Sequence, residues 1–252
     1  MKIHRLQGYI QHIYLVEEAH GLLLLDGCSR ADVDKVCQFI AGLGRDITEL
    51  RCIVVTHMHP DHAGGAHKLR KISGATLVTH PKARNWYSGA GGRAAHVIDV
   101  LLTWWVAGRI GKKKRHIWYS PNLRPDKVVK DGATLPLFED WQVVYTPGHT
   151  DHDLSIMHVP SEQVYVADLI VKVKGDLVPP YPVCHPNQYR RSLQRIADLQ
   201  PARLLCAHVP PLNGDDVDFE AVLAQAPDKP KNHWHSTKNR VKQKLGFGST
   251  EH

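Results

Sequence analysis

Thr56-His57-Met58-His59-Pro60-Asp61-His62-Ala63-Gly64-Gly65 packs four metal-ligand side chains into the six positions from His57 to His62, directly after the run Arg51-Cys52-Ile53-Val54-Val55. That β-branched run has the composition of a strand buried on both faces, so the ligands fall where a strand gives way to a helix. Imidazole nitrogens and carboxylate oxygens are the usual ligands of zinc, and a tight turn can aim alternate side chains at two neighbouring ions. Gly64 and Gly65 allow close approach of the chain as the helix begins. Ordinary packing rarely gathers this density of ligand types, so His57, His59, Asp61 and His62 are read as metal ligands.

Outward from this turn, the N-terminal side opens with a hairpin of YIQHIYLVEE and GLLLLDGC around Gly21. Asp32 to Gly42 suits a helix, because Val33, Val36, Cys37 and Ile40 recur at spacings of three and four. After the turn, AGGAHKLRKI reads as a helix and ATLVTHP as a strand, the alternation expected of layered α/β folds. The second half is richer in strands: VVKDGATLPL, WQVVYTP, LSIMHV and QVYVADLI, separated by Gly, Pro, Asp or Ser turns. A helix over Asn187 to Leu199, the strand RLLCAH and a helix over Val217 to Ala226 complete the pattern. Two similar halves predict a sandwich of sheets covered by helices.

One loop cannot surround two ions, and further ligands stand at strand ends downstream. His149 follows WQVVY within Thr146-Pro147-Gly148-His149-Thr150, Asp168 ends Val166-Ala167-Asp168, and His208 ends Cys206-Ala207-His208. With the His-x-His-x-Asp-His signature, the TPGHT segment, the later aspartate and the final histidine in this order, the chain resembles the metallo-β-lactamase superfamily, in its glyoxalase II or lactonase-like branch. The resemblance covers most of residues 9 to 228, and LLLLDGC, VKDGATL and TPGHTDHDLSI match the surroundings these motifs usually have there. It implies an α/β fold, a four-layer αββα sandwich with the metal site at one edge of its sheets. It further implies that His57, His59 and His149 hold one metal and Asp61, His62 and His208 the other, with Asp168 bridging. The implied cofactors are two Zn2+, with Fe or Mn as alternatives, and a bridging hydroxide is then the nucleophile, Asp61 also shuttling a proton. His208 is followed by Val209-Pro210-Pro211 where the family commonly has glycine, and Leu169-Ile170-Val171-Lys172 matches no substrate-specific pattern.

The formal charge of +7 is concentrated at one end. Six of the 32 basic side chains and one of the 25 acids follow Asp228, leaving 26 against 24, a balance of +2, in residues 1–228. The expected organisation is therefore a hydrolase domain over 1–228 and a basic, flexible tail over 229–252. Within the domain, 82–127 reads as a helical insertion whose stretch AAHVIDVLLTWWVAGRIGKKKRHIW joins an apolar core to a cationic end. It is too short, and too interrupted by Asp99, to span a bilayer, which takes ~20 apolar residues. A lid, a homodimer contact and a peripheral membrane helix are three readings of it, and Trp104 and Trp105 read as lid or core packing. Five cysteines without a CxxC pair or regular spacing, together with an N-terminus lacking a signal-peptide h-region, predict a cytoplasmic setting.

Most of the 18 histidines are given surface or packing roles. His152 and Asp151 are read either as orienting a ligand or as loop solvation, and Tyr87, Tyr119 and Tyr181 as the tyrosines that could contact a developing oxyanion. The moderate length, the nearly neutral body and the apolar insertion favour a small-molecule carboxylic ester, lactone or thioester as substrate. The alternative is a phosphodiesterase or nuclease, suggested by Lys112 to Arg115 and the basic tail. A mononuclear iron sulfur dioxygenase ranks behind both, and a docking module without catalysis last.

Overall fold

The computed structural model describes residues 1–231, so the tail expected over 229–252 lies almost wholly outside the described residues. Strands β1 (Lys2–Gln7), β2 (His12–Glu18), β3 (Gly21–Leu25), β4 (Leu50–Val55), β5 (Thr76–Thr79) and β6 (Lys127–Val128) form one six-stranded sheet in that order. A second sheet takes β7 (Thr134–Leu135), β8 (Phe138–Tyr145), β9 (Leu154–His158), β10 (Gln163–Ala167), β13 (Arg203–Cys206) and β14 (Leu212–Asn213), in the order β14-β13-β10-β9-β8-β7. A small hairpin of β11 (Val171–Val173) and β12 (Asp176–Val178) stands apart. The helices are α1 (Val33–Gly42), α2 (Pro60–Ala63), α3 (Ala66–Ser73), α4 (Gly89–Arg109), α5 (Pro186–Asp198) and α6 (Phe219–Ala224).

The four layers follow from the two-residue period of the strands. Leu22, Leu24, Ile53 and Val55 pack with Val36, Ile40 and Leu69 of the helices on one face, while Leu23, Leu25, Cys52 and Val54 turn to the other. There they meet Trp141, Val143, Tyr165 and Leu205 of the second sheet. That sheet sends Val144, Val164, Val166 and Leu204 outward onto Tyr189, Leu193 and Ile196 of α5. The αββα sandwich expected from the sequence is thus the observed fold, and GLLLL is buried throughout because both of its faces are covered.

The expected hairpin is preceded by one more strand: MKIHRLQGYIQHIYLVEE forms both β1 and β2, paired antiparallel from Lys2 opposite Glu17 to Gln7 opposite His12. The reversal between them is closed by the Gly8 N–H donating to the Gln11 carbonyl at 2.8 Å. The insertion helix also differs at both ends. It starts earlier, at Gly89, and stops at Arg109, because Gly111 adopts a φ of +74° beyond it, so Lys112–Arg115 is not helical. No helix among the described residues is long and apolar enough to cross a membrane.

β3, β4 and β5 run parallel, as do β10 and β13, so β4, β10 and β13 deliver their C-terminal ends to one edge. The sheets are joined there by backbone bonds: Leu154 N–H donates to the Thr56 carbonyl at 3.3 Å and His12 N–H to the Ala207 carbonyl at 2.6 Å. Trp141, fully buried between the sheets, donates its indole N–H to Glu18 at 3.2 Å. Trp141→Ala is expected to cost about 3–5 kcal/mol through the cavity it leaves, read as a lowered midpoint in urea unfolding.

Candidate metal centre

The turn after β4 is held rigidly before it presents any ligand. A Cβ on Gly64 would stand 2.3 Å from the Pro60 carbonyl oxygen, and one on Gly65 would stand 2.7 Å from that of Gly27, so the close approach expected at both positions is real. The peptide of Met58, between His57 and His59, is gripped at both ends. Its N–H donates to His152 Nε2 at 3.1 Å, and its carbonyl accepts from the Tyr119 hydroxyl. His152 in turn donates from Nδ1 to Asp151 at 2.8 Å, which settles its two readings in favour of positioning the ligand turn.

The seven residues singled out in the sequence converge in two groups. His57, His59, His149 and Asp168 offer ligand atoms within 4.8 Å of one another, and so do Asp61, His62 and His208. In the first group His59 Nδ1 lies 3.1 Å from His57 Nε2 and 2.9 Å from His149 Nε2. Asp168 Oδ2 faces this group, 3.7 Å from His57 and 3.5 Å from His149. Its other oxygen, Oδ1, faces the second group, 3.2 Å from His62 and 3.3 Å from His208, while Asp61 Oδ2 stands 3.4 Å and 3.2 Å from the same two rings. Asp168 therefore sits between the two groups.

Outer partners aim the ring nitrogens. Asp26 Oδ2 accepts from His62 Nδ1 at 2.7 Å, from the Thr56 hydroxyl at 2.8 Å and from Tyr165 at 2.8 Å, and its Oδ1 accepts from the Thr56 N–H at 2.9 Å. Since the Thr56 hydroxyl proton goes to Asp26, Thr56 can only accept from His57 Nδ1, 3.1 Å away, which leaves His57 Nε2 a bare lone pair. His149 Nδ1 donates to the Pro182 carbonyl at 2.6 Å and His208 Nδ1 to that of Ile10 at 3.2 Å, which turns their Nε2 atoms toward the cluster. Such carbonyl and carboxylate partners are what metal-ligating histidines ordinarily keep. Asp26 holds this position at a φ of +106°, a strained backbone for a non-glycine residue. Gly148 is required beside His149, because its Cβ would stand 2.4 Å from Tyr189 Cα.

Burial pushes the His57 and His59 imidazoles well below their ordinary range, keeping them neutral and fit to donate lone pairs. For His62 burial works the same way, but the carboxylates of Asp168, Asp61 and Asp26 outweigh it and drive the ring upward. His208 is pushed up to about 10 against its own burial, by Asp168 and Asp61. Burial would raise Asp61 and Asp168, yet His62 and His208 hold both below the usual carboxylate range. The donor set fits a pair of divalent cations. The lone pairs of the neutral His57 and His59 converge beside the Asp168 carboxylate, and His62 Nε2 and Asp168 Oδ1, fully buried 3.2 Å apart, make an ion-pair contact without a well-formed hydrogen bond.

The insertion contributes to the site in ways the sequence reading missed. Asp99, read only as an interruption of an apolar run, places Oδ2 3.9 Å from His59 Nε2 and accepts from the Tyr87 hydroxyl at 2.7 Å. Burial raises its carboxyl to about 6. Tyr87 and Tyr119 are corrected as oxyanion donors, because their hydroxyl protons go to Asp99 and to the Met58 carbonyl. Trp104 is half-buried against the core, as expected, whereas Trp105 is exposed.

Two outcomes follow. Asp26→Asn should lower metal affinity by about 10–100-fold with the fold retained, measured by competition with a chromogenic chelator. Between about pH 4 and 6 the folded Asp99 holds a proton that the unfolded chain has released, so it makes stability fall as pH rises through that window. In chelator, the melting temperature of Asp99→Asn relative to wild type should therefore rise from pH 4 to pH 7.

Residues 6–208 match the family described as the metallo-beta-lactamase superfamily. The probable metallo-hydrolase YflN of Bacillus subtilis (strain 168) is 21% identical over 233 residues, covering 84% of this chain and 85% of the relative. The hydroxyacylglutathione hydrolase of Francisella tularensis subsp. novicida (strain U112) is 24% identical over 158 residues, 62% of this chain and 46% of that one. Among solved structures, TTHA1623 in a di-iron-bound form superposes with a TM-score of 0.62 at 21% identity, covering 93% of this chain and all of that chain. With the family match spanning most of its length and the two sheets, the ligand turn and the His/Asp cluster where that fold carries them, this chain belongs to the metallo-β-lactamase superfamily of metallo-hydrolases.

Proposed function

We propose that the protein is a dinuclear metal-dependent hydrolase of carboxylic esters, lactones or thioesters. The observation that carries this reading is the Asp168 carboxylate, one oxygen turned to the His57–His59–His149 group and the other to the Asp61–His62–His208 group. A metal pair held there would supply an acidified water as nucleophile and a Lewis acid for the scissile carbonyl oxygen. The fit is to N/O-binding cations, which include zinc, iron and manganese. The di-iron form of TTHA1623 and the thermodynamic freedom of such donors keep iron beside zinc as occupant.

The chain's own residues then have distinct tasks. His57 and His59 stay neutral through burial and can donate lone pairs, and His149, its Nδ1 bonded to the Pro182 carbonyl, turns its Nε2 to the same point. Asp61, ionised beside His62 and His208, can accept a proton, and its strong stabilisation as the anion makes it release that proton again. α4 flanks one side of the site and brings Asp99 to within 3.9 Å of His59. The nearly neutral body and the apolar character of this insertion suit an uncharged acyl group better than a polyanion, and the hydroxyacylglutathione hydrolase relative accords with the ester and thioester class. No disulfide joins the cysteines among the described residues, in keeping with a cytoplasmic setting.

Purified protein should carry two metal ions per chain by elemental analysis. Asp168→Ala should lose both, whereas His208→Ala should retain the first group's ion. Among lactone, thioester, β-lactam and bis-phosphodiester panels, turnover should appear with the first two and fall by at least about 10³-fold in Asp61→Ala. Turnover confined to the phosphodiester panel would shift the reading to a nuclease or phosphodiesterase. A single iron per chain with oxygen consumption would shift it to the dioxygenase.

A further inference from the structure

The outer face of α4 is built unlike the rest of the surface. His96, Val100, Thr103 and Ala107 are buried on its inner side, whereas Val97, Ile98, Leu101 and Trp105 form an exposed ridge along the opposite side, Leu101 at 54% and Trp105 at 59% exposure. Side chains at these spacings lie on one stripe of a helix. The acids are missing from this face: between Gly89 and Ser120 the only carboxylate is Asp99, which turns inward to Tyr87 and His59.

Cations border the ridge. Arg109 and Lys112–Arg115 are exposed, with Arg109 5.1 Å from the centre of the Trp105 ring and Lys114 3.9 Å from that of Trp104. Although not helical, the basic run has a fixed place. Trp104 Nε1 donates to the Arg115 carbonyl at 2.8 Å, the Tyr9 hydroxyl donates to the Lys113 carbonyl at 2.9 Å, and the Arg115 guanidinium lies 3.9 Å from Asp32. Those anchors use Arg115 and two backbone carbonyls, so Lys112, Lys113 and Lys114 keep their charges at the end of the apolar ridge.

We infer that this face is a peripheral docking surface for an anionic phospholipid bilayer, with the ridge entering the headgroup and acyl boundary and Lys112–Lys114 meeting lipid phosphates. The inference goes beyond the hydrolase reading and does not rest on it. An apolar ridge, tryptophan and clustered Lys/Arg are the elements of interfacial helices, and each basic residue near an anionic surface strengthens binding about fivefold. α4 is too weakly apolar to cross the bilayer, so it lies on the surface. A second copy of the chain is the poorer occupant, because the face would meet in its copy only further cations and no outward carboxylate between Gly89 and Ser120 to pair with them. A nucleic acid would engage the lysines and leave Leu101 and Trp105 in water. Because the reverse side of α4 faces the ligand cluster, docking would place that cluster beside the bilayer.

Flotation of the full chain with vesicles of phosphatidylcholine, and with equimolar phosphatidylcholine and phosphatidylglycerol, tests this. Wild type should partition at least tenfold more strongly to the anionic vesicles and detach at high salt. Leu101→Glu/Trp105→Glu and, separately, Lys112→Glu/Lys113→Glu/Lys114→Glu should each lose at least tenfold in partitioning. All five positions are exposed, and unchanged melting curves would show that the fold is intact. Wild type that fails to float with anionic vesicles overturns the inference whatever the variants do. Flotation unchanged in both variants also overturns it and moves binding elsewhere, such as the basic residues after 231. Dimerisation by light scattering that Leu101→Glu/Trp105→Glu abolishes, without flotation of wild type, assigns the face to a second copy instead.

Discussion

Ionisable groups taken out of water must be compensated where they stand, and the edge of this sandwich is organised around that requirement. Three carboxylates, Asp26, Asp61 and Asp168, are buried among the imidazoles of His57, His59, His62 and His149, with His208 at the rim. An isolated charge in such a place is costly enough that it would give up or take up a proton instead. Each group here instead meets an opposite charge, a backbone carbonyl or a hydroxyl, and His62 Nε2 and Asp168 Oδ1 face each other at 3.2 Å without a well-formed hydrogen bond. A bound cation would take the place of the protons that His62 and His208 share with these carboxylates, which ties the fold's electrostatics to its chemistry.

The scaffold makes that balance affordable in entropy. β4, β10 and β13 end at one edge, the β8–β9 connection reaches the same edge, and each contributes a ligand from a segment already fixed by pairing and burial. No ligand depends on a long unsupported loop. The cost of ordering the set falls on the two sheets, whose shared core is closed by residues such as Trp141 and Tyr165.

The layers were legible in the sequence wherever one physical signal dominated. GLLLL and RCIVV are unbroken apolar runs because both faces of their sheet are covered, and α1 and α5 show the spacing of one-sided burial. β1 has no turn signal of its own beyond Gly8 to separate it from β2, and β11, β12 and β14 are too short to leave a period. The seven convergent residues were legible because ligand-type side chains recur at strand ends. Their supports were not. The carbonyls of Ile10 and Pro182 carry no side-chain signature, Tyr165 reaches Asp26 across 139 positions, and Asp99 looked like a flaw in an apolar helix. Conversely, the limit of α4 depended on one backbone angle at Gly111.

The Met58 peptide has a further implication. Its two hydrogen bonds come from opposite directions in the chain, His152 in the second half and Tyr119 in the insertion, so a single backbone unit interlocks three segments at the heart of the ligand turn. The insertion is consequently not an interchangeable appendage. A graft that replaced it with a foreign segment would unfasten the turn that presents His57 and His59, and drift in the insertion's sequence is bounded by the demands of residues far from it.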